Sequence, residues 1–387
     1  MPPLAGASSS WSGRIAVMRV TIERSNFLRA LTHVQSVVER RNTIPILSNV
    51  RVEGTSNAVK LTATDLDIEI VESVAADVAQ QGAFTVPAHM LYDIVRKLPE
   101  GGQIELDNRT DKSRVAIISG KSRFALQSLP AEDFPDLASG DFGHTFSLPA
   151  DALKALIDRT RFAISTEETR YYLNGIYLHE VASGPYLRAV ATDGHRLAQS
   201  QTTRPEGAAG MPGVIVPRKT VLEIAKLVEG VENDVEISLS ASKIRFTVGS
   251  MVVTSKLIDG TFPDYERVIP RNNDKVLEID TKQFAAAVDR VSTISLEKSR
   301  AVKMGIGAGR ITLVVNNPDS GSAEEELPAN YESDTIEIGF NSRYLLDVAG
   351  QVRAESMRFE LLDAGSPTIV RDPKDEQSLY VLMPMRV

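Results

Sequence analysis

Apolar residues follow two alternating periodicities along the chain. A short run with every second position apolar leads into a run with apolar residues three and four apart, the pattern of a strand entering an amphipathic helix. The pattern starts at Met18 (MRVTIERSNFLRALTHVQSVV), at His144 (HTFSLPADALKALIDRTRFAI) and at Lys275 (KVLEIDTKQFAAAVDRVSTIS), with Phe27, Leu153 and Phe284 in equivalent places. A second amphipathic helix recurs as VPAHMLYDIVRKL from Val86, VPRKTVLEIAKLV from Val216 and FNSRYLLDVAGQV from Phe340, where Asp93, Glu223 and Asp347 are equivalent. Alternating strand-like runs separate the two. The turn dipeptide Thr64-Asp65 is matched by Thr192-Asp193, and Phe134-Pro135-Asp136 by Phe262-Pro263-Asp264.

These signals return about every 125–130 residues, too long for a solenoid unit and suited to a domain of two helices and roughly eight strands. The expected fold class is α+β, with three tandem domains at residues 18–143, 144–268 and 269–387, each two helices plus antiparallel sheets. Neither junction has a long Gly/Ser linker, so the domains are expected to pack rigidly. The opening MPPLAGASSSWSGRIAV has neither a basic n-region nor a continuous apolar h-region, so residues 1–17 are expected to form a disordered N-terminal extension.

Composition narrows the chemistry. The absence of cysteine excludes disulfides, thiolate catalysis and cysteine-ligated metals and fits a reducing cytoplasm. No stretch approaches the roughly 18 apolar residues of a membrane helix, so a soluble cytoplasmic protein with no membrane partner is expected. His33, His89, His144, His179 and His195 have no ligand spacing, and neither a metal nor a cofactor is expected. SGKS at Ser119 lacks the P-loop glycine, Val115 standing in its place, and GIGAGR at Gly305 reads as a turn. Asp193 and His195 lie close in TDGHR without a nucleophile elbow, so no catalytic residue is expected.

Charge changes the picture once it is divided. The chain carries −8 overall, which by itself argues against nucleic acid. Segments 25–41, 87–98, 150–162, 217–229, 281–291 and 341–353, covering the six helical patterns, each carry +1 or +2 and together +7, leaving −15 for the remainder. Two readings stay open: solvated helix faces, or a basic footprint that tracks phosphates without reading bases. Arg40 and Arg41 after the first helix, and Arg170-Tyr171-Tyr172 before LNG, add basic and aromatic residues. A tyrosine beside an arginine either stacks on nucleic acid or packs a strand edge.

Read together, ATDGHRLA, RYYLNG, DGTFPDYERVIP, IGFNSRYLLDV and YVLMPMRV resemble the bacterial DNA polymerase III beta subunit family, the sliding clamps, over residues 18–387. The resemblance implies two chains closed head to tail into a ring, with helices inside and sheets outside, that encircles duplex DNA without sequence specificity. Such a ring is not an enzyme. It tethers the replicative polymerase and recruits the clamp loader, other polymerases and mismatch-repair proteins through short peptides. By motif match Arg41, Tyr171 and Tyr172 are the implied DNA contacts, to which Arg40, Arg29, Arg170, Arg218 and Lys219 are added. The implied peptide pocket takes Leu173, Thr192, Gly194, His195, Arg196 and Leu197, then Pro263, Arg267, Val268 and Tyr331, and finally Val381, Met383, Pro384, Met385 and Arg386. Gly365 and Pro367 stand on its wall where the family pattern has an aliphatic residue and a serine, so peptide preference is expected to differ. At the ring interface the resemblance implies Arg123, Phe124 and Leu126 against Thr293 and Ile294 in RVSTISLEK, with Arg123 facing Glu324, Glu325 and Glu326.

Overall fold

The computed structural model describes residues 17–111, 113–295 and 300–386. The expected 1–17 extension, Val17 apart, and residues 296–298 of the expected interface segment lie outside the described residues.

Among the described residues there are six α-helices, two in each sequence repeat: α1 (Arg24–Val34), α2 (Ala88–Lys97), α3 (Ala150–Asp158), α4 (Arg218–Leu227), α5 (Thr281–Ser292) and α6 (Ser342–Ala349). Their starts are written locally. Glu23, Asp280 and Asn341 accept main-chain N–H groups at the first turns of α1, α5 and α6. Pro87, Pro149 and Pro217 end a strand and precede α2, α3 and α4, where a residue without an N–H loses nothing. The apolar stripe expected for α1 is the buried one: Phe27, Ala30, Leu31 and Val34.

The chain divides into two compact units, residues 1–140 with 245–255, and residues 141–244 with 256–387. In the first, strands Asp77–Gln80, Arg19–Glu23, Gln103–Asp107, Arg114–Ser119 and Ser122–Gln127 form an antiparallel sheet in that order. A second sheet runs from Gly82–Pro87 through Asn49–Gly54 and Ala58–Thr64 to Ile68–Ala75, against which residues 251–255 pair. Arg24, only 8% exposed, ties α1 to α2 by donating to the carbonyls of Val95 and Arg96 at the C-terminal end of α2, where the helix dipole favours a cation.

In the second unit an eight-stranded sheet runs Val214–Pro217, Gly175–Glu180, Tyr186–Thr192, Arg196–Thr203, Asp375–Leu382, Thr368–Asp372, Ser356–Leu361, Lys275–Asp280. Strands Gly321–Pro328, Arg310–Asn317, Ala301–Gly307 and Ile336–Asn341 make a four-stranded sheet. The last strand of the third repeat thus pairs with the strand that follows Thr192-Asp193 in the second, Arg196 opposite Leu382 and Leu197 opposite Val381. The last strand of the second repeat pairs in the same way with the strand after Thr64-Asp65 in the first. The second repeat therefore completes a sheet of the first and the third a sheet of the second, which is why the compact units do not follow the sequence period.

The Thr-Asp turns share a geometry as well as a sequence. Asp65 Oδ1 accepts from the N–H groups of Asp67 and Ile68, and Asp193 Oδ1 from those of His195 and Arg196. The third turn residue is left-handed in both, Leu66 at φ +80° and Gly194 at φ +88°. SGKS and GIGAGR are hairpin turns with left-handed Gly120 and Gly309, the second as the sequence indicates.

Candidate peptide pocket and nucleic-acid contacts

A cavity of about 310 Å³ opens in the second unit where the 3-10 turn Glu168–Leu173, the Thr192–Arg196 turn, the 3-10 turn Tyr265–Val268 and the end of strand Asp375–Leu382 converge. Leu173, Leu197 and Val381 line it and are buried, and they belong to a core that continues through Val190, Ile215 and Phe262. Pro263, Val268 and Met383 also line it, with Val268 51% and Met383 41% exposed at its mouth. An apolar lining open to solvent, with an adaptable thioether at the rim, suits a side chain delivered from outside.

The polar edge is held by local geometry. Thr192 Oγ1 donates to Arg196 O and accepts from Gly194 N–H. A Cβ on Gly194 would stand 2.5 Å from Nη1 of Arg170, so glycine meets the left-handed backbone without strain and leaves room for that guanidinium, which would otherwise have to shift. Glu167 fixes Arg170 through paired contacts at 2.7 and 2.8 Å, and the arginine holds the Glu167 carboxyl below the usual range.

Arg196 is more central than the sequence suggests. Its side chain is 7% exposed, donates to Asp193, Asp347 and the Phe162 carbonyl, and lies 4.3 Å over the Tyr344 ring and 5.2 Å over Phe162. It separates the pocket from a second cavity of about 390 Å³ that Arg161, Arg218, Arg343 and Tyr344 also line.

Several expected wall residues are elsewhere. Tyr331 is 2% exposed and donates its hydroxyl to Asp334 O, a core tyrosine; the tyrosine beside Arg196 is Tyr344. His195 is exposed and lines the second cavity. Arg267 points to solvent, 83% exposed and paired with Asp264. Met385 bonds its main chain to Gly339, which fastens the chain end to strand Ile336–Asn341, so neither it, Pro384 nor Arg386 lines the pocket. Gly365 sits in an exposed turn made by Asp363, and Pro367 O accepts from Asn273, so neither lines the pocket. Conversely Tyr172, Arg170, Asp264 and Tyr265 line it, and the last two are not among the expected residues. Tyr265 was legible as the residue that directly follows Phe-Pro-Asp.

Of the expected nucleic-acid contacts, Arg29 on α1, Arg40 and Arg41 beyond it, and Arg218 at the start of α4 are exposed, and Lys219 is half-buried. Tyr171 is 54% exposed; Tyr172 packs edge-on against it at 5.8 Å and turns into the pocket. The uniform positive lean of the helices does not survive their true bounds. Within α3 the acids Asp151 and Asp158 outnumber Lys154, and Arg343 balances Asp347 in α6. The basic residues counted with α3, Arg159 and Arg161, follow its last turn.

At the expected ring edge Arg123 and Phe124 are exposed, and Phe124 lines a concavity of about 740 Å³ with Met90 and Ile94. Leu126 is 6% exposed and paired opposite Val115, so it belongs to its own domain's core. Thr293 is exposed just past α5, and Ile294 O accepts from Asn317. The acidic run is partly engaged within the chain: Glu325 pairs with Arg290 at 2.5 Å and Glu326 with Arg310 at 3.4 Å. Only Glu324 of the three has no such ion pair among the described residues.

Tandem α+β domains that share their sheets in this way define a DNA-clamp architecture. The DNA polymerase III beta subunit N-terminal, central and C-terminal domain families match residues 18–138, 147–264 and 266–386. The beta sliding clamp of Caulobacter vibrioides is 53% identical over 372 residues, 96% of this chain and 100% of that protein. That of Escherichia coli is 39% identical over 373 residues, with the same coverage. Among solved structures, a sliding clamp from Bartonella birtlesii bound to griselimycin superposes with a TM-score of 0.94 at 56% identity, covering 96% of this chain and all of that one. One from Pseudomonas aeruginosa bound to griselimycin gives 0.92 at 42% identity with equal coverage. The chain belongs to the DNA polymerase III beta subunit family, the bacterial sliding clamps.

Proposed function

We propose that two copies of this chain close head to tail into a ring around duplex DNA and that the ring tethers the replicative polymerase, itself catalysing nothing. The observation that carries this reading is full-length membership of the family in all three domains. A head-to-tail contact is heterologous and closes when the rotation between copies divides a full turn. Arg123 and Phe124 on one edge and Thr293, Ile294 and Glu324 on the other are the proposed contact. Exposed Arg29, Arg40, Arg41, Arg218 and Tyr171 act on the phosphate backbone, an interaction that holds the duplex without fixing a sequence and so permits sliding. Such a ring works in the cytoplasm; among the described residues no helix is long and apolar enough to cross a membrane.

The cavity around Leu173, Leu197 and Val381 receives an apolar side chain of a partner peptide from polymerases, the clamp loader or mismatch-repair proteins. Its size and lining support that use. Griselimycin, with which two relatives were solved, is the probe. Met383→Asp places a charge at the mouth and is expected to abolish griselimycin binding without altering dimer sedimentation. Undiminished binding by this variant refutes the pocket assignment.

A further inference from the structure

Behind the pocket wall, Tyr265 is held from two sides by groups that belong to no expected site. Its hydroxyl lies 2.9 Å from His179 Nε2 and 2.9 Å from Arg188 Nη1. His179 and Arg188 face each other across paired strands, and Arg188 faces Gln201 on the next. The direction of every proton in this row follows from chemistry. His179 Nδ1 is 2.8 Å from the Glu180 carbonyl, which only accepts, so Nδ1 carries the hydrogen. In the neutral ring Nε2 is then an acceptor. Arginine only donates, so Tyr265 accepts from Arg188 and donates its own hydroxyl hydrogen bond to Nε2.

We propose that His179 is a positioning residue of the peptide pocket: as a neutral imidazole it accepts the Tyr265 hydroxyl and thereby keeps the Tyr265 ring in the pocket wall. The inference rests on the pocket reading above. The imidazole itself is held as the outer layer of a stack, 4.7 Å from the Tyr177 ring, which lies 4.9 Å from Phe262 at 5°. Phe262 and Tyr265 flank Pro263 and Asp264, both lining residues, so a shift of Tyr265 reaches the cavity directly.

Protonation reverses the arrangement. With hydrogens on both ring nitrogens, the Tyr265 oxygen faces two donors and its own proton loses its acceptor. The charged and titratable groups around His179 are Arg188 on the neighbouring strand, Glu266 and Tyr265 on the following 3-10 turn, and Tyr177 and Glu180 on its own strand, Glu180 being paired with Arg204. Burial, more than the repulsion from Arg188, pushes the His179 imidazole below its ordinary value despite the opposing Glu180 hydrogen bond and Glu266 charge. The neutral ring is the resting state at pH 7, and the wall loosens on acidification.

Griselimycin affinity measured by calorimetry from pH 8 to pH 5 tests this in five proteins. One neutral hydrogen bond corresponds to about three- to tenfold in affinity, so the native chain is expected to weaken by that factor as pH falls below the ordinary imidazole range. His179→Gln supplies a carbonyl acceptor that does not titrate, so it is expected to bind like the native chain at pH 7.5 and to vary by less than about twofold across the range. Tyr265→Phe is expected to bind more weakly at pH 7.5 and to lose the pH dependence, and it decides the matter if His179→Gln does not fold. His195→Gln, altering the exposed histidine of the adjoining cavity, is expected to keep the native slope. A flat native profile, or a native slope retained in both His179→Gln and Tyr265→Phe, overturns the inference. Met383→Asp separates the two readings: if it binds normally the pocket assignment falls, and if it fails while the native profile is flat only the role of His179 falls.

Discussion

Truncating Arg196 to alanine is expected to destabilise the second unit by about 3 kcal/mol. The side chain is 7% exposed and donates to Asp193 Oδ2 at 3.1 Å, Asp347 Oδ2 at 2.5 Å and the Phe162 carbonyl at 2.5 Å. Removing one partner of a buried pair costs about 3–5 kcal/mol, since the remaining charge stays desolvated. Two features place this site at the low end. Asp193 keeps the main-chain N–H groups of His195 and Arg196, and Asp347, 30% exposed, reaches water. The orphaned Phe162 carbonyl and the lost contact with Tyr344 oppose that relief. For a unit of this size 3 kcal/mol corresponds to a Tm lower by roughly 6–12 °C. Arg196→Lys keeps a charge but not the fork and is expected to lose about half as much. Urea titration followed by circular dichroism, with a thermal scan, provides the measurement. A change below about 1 kcal/mol in Arg196→Ala refutes the view that this guanidinium holds the second and third repeats together.

Other expectations concern the turns, the core and the exposed arginines. Gly194→Ala forces a side chain into a left-handed backbone and against Arg170, so a loss of about 1–2 kcal/mol and weaker griselimycin binding are expected in denaturation and calorimetry; an unchanged variant contradicts the turn's role. Burial raises the Glu69 carboxyl above its usual range, although it accepts from Leu137 N–H. A raised folded value means that its contribution to stability is present below the unfolded carboxylate value and is lost as pH rises through the folded one. Glu69→Gln is therefore expected to raise Tm at pH 7.5 and to match the native chain near about pH 4, and a lower Tm at pH 7.5 contradicts this. Reversing Arg40 and Arg41 to Glu is expected to weaken loading on DNA in a low-salt assay while Tm stays unchanged, because both side chains are exposed; equal loading shows them to be merely solvated.

The periodicities made the architecture readable because each helix buries one stripe and each strand one face. Phe27, Leu153 and Phe284, paired by pattern alone, are buried on α1, α3 and α5. The pairing of a final strand with the repeat before it was not readable, since pairing between distant strands leaves no mark on local alternation. Site residues divided along similar lines. Leu173, Leu197, Val381 and Met383 lie both in the quoted motifs and around the cavity, whereas Tyr344 and Tyr265 lie in such motifs too but take their roles from partners distant in sequence, Arg196 and His179. Tyr331 was implied by the family resemblance, and its hydroxyl is satisfied by a carbonyl three residues away. The helix charge count failed for a related reason: a periodic pattern runs on past the last hydrogen-bonded turn, so Arg159, Arg161 and Arg353 were credited to helices that end before them.

Release of the loaded protein from DNA tests the central claim most directly. On a nicked circle a closed ring is held by topology rather than by ionic contacts, so it is expected to remain bound at a salt concentration that removes ordinary DNA-binding proteins and to escape once the circle is cut. Equal rates of loss from intact and linearised DNA would contradict encirclement.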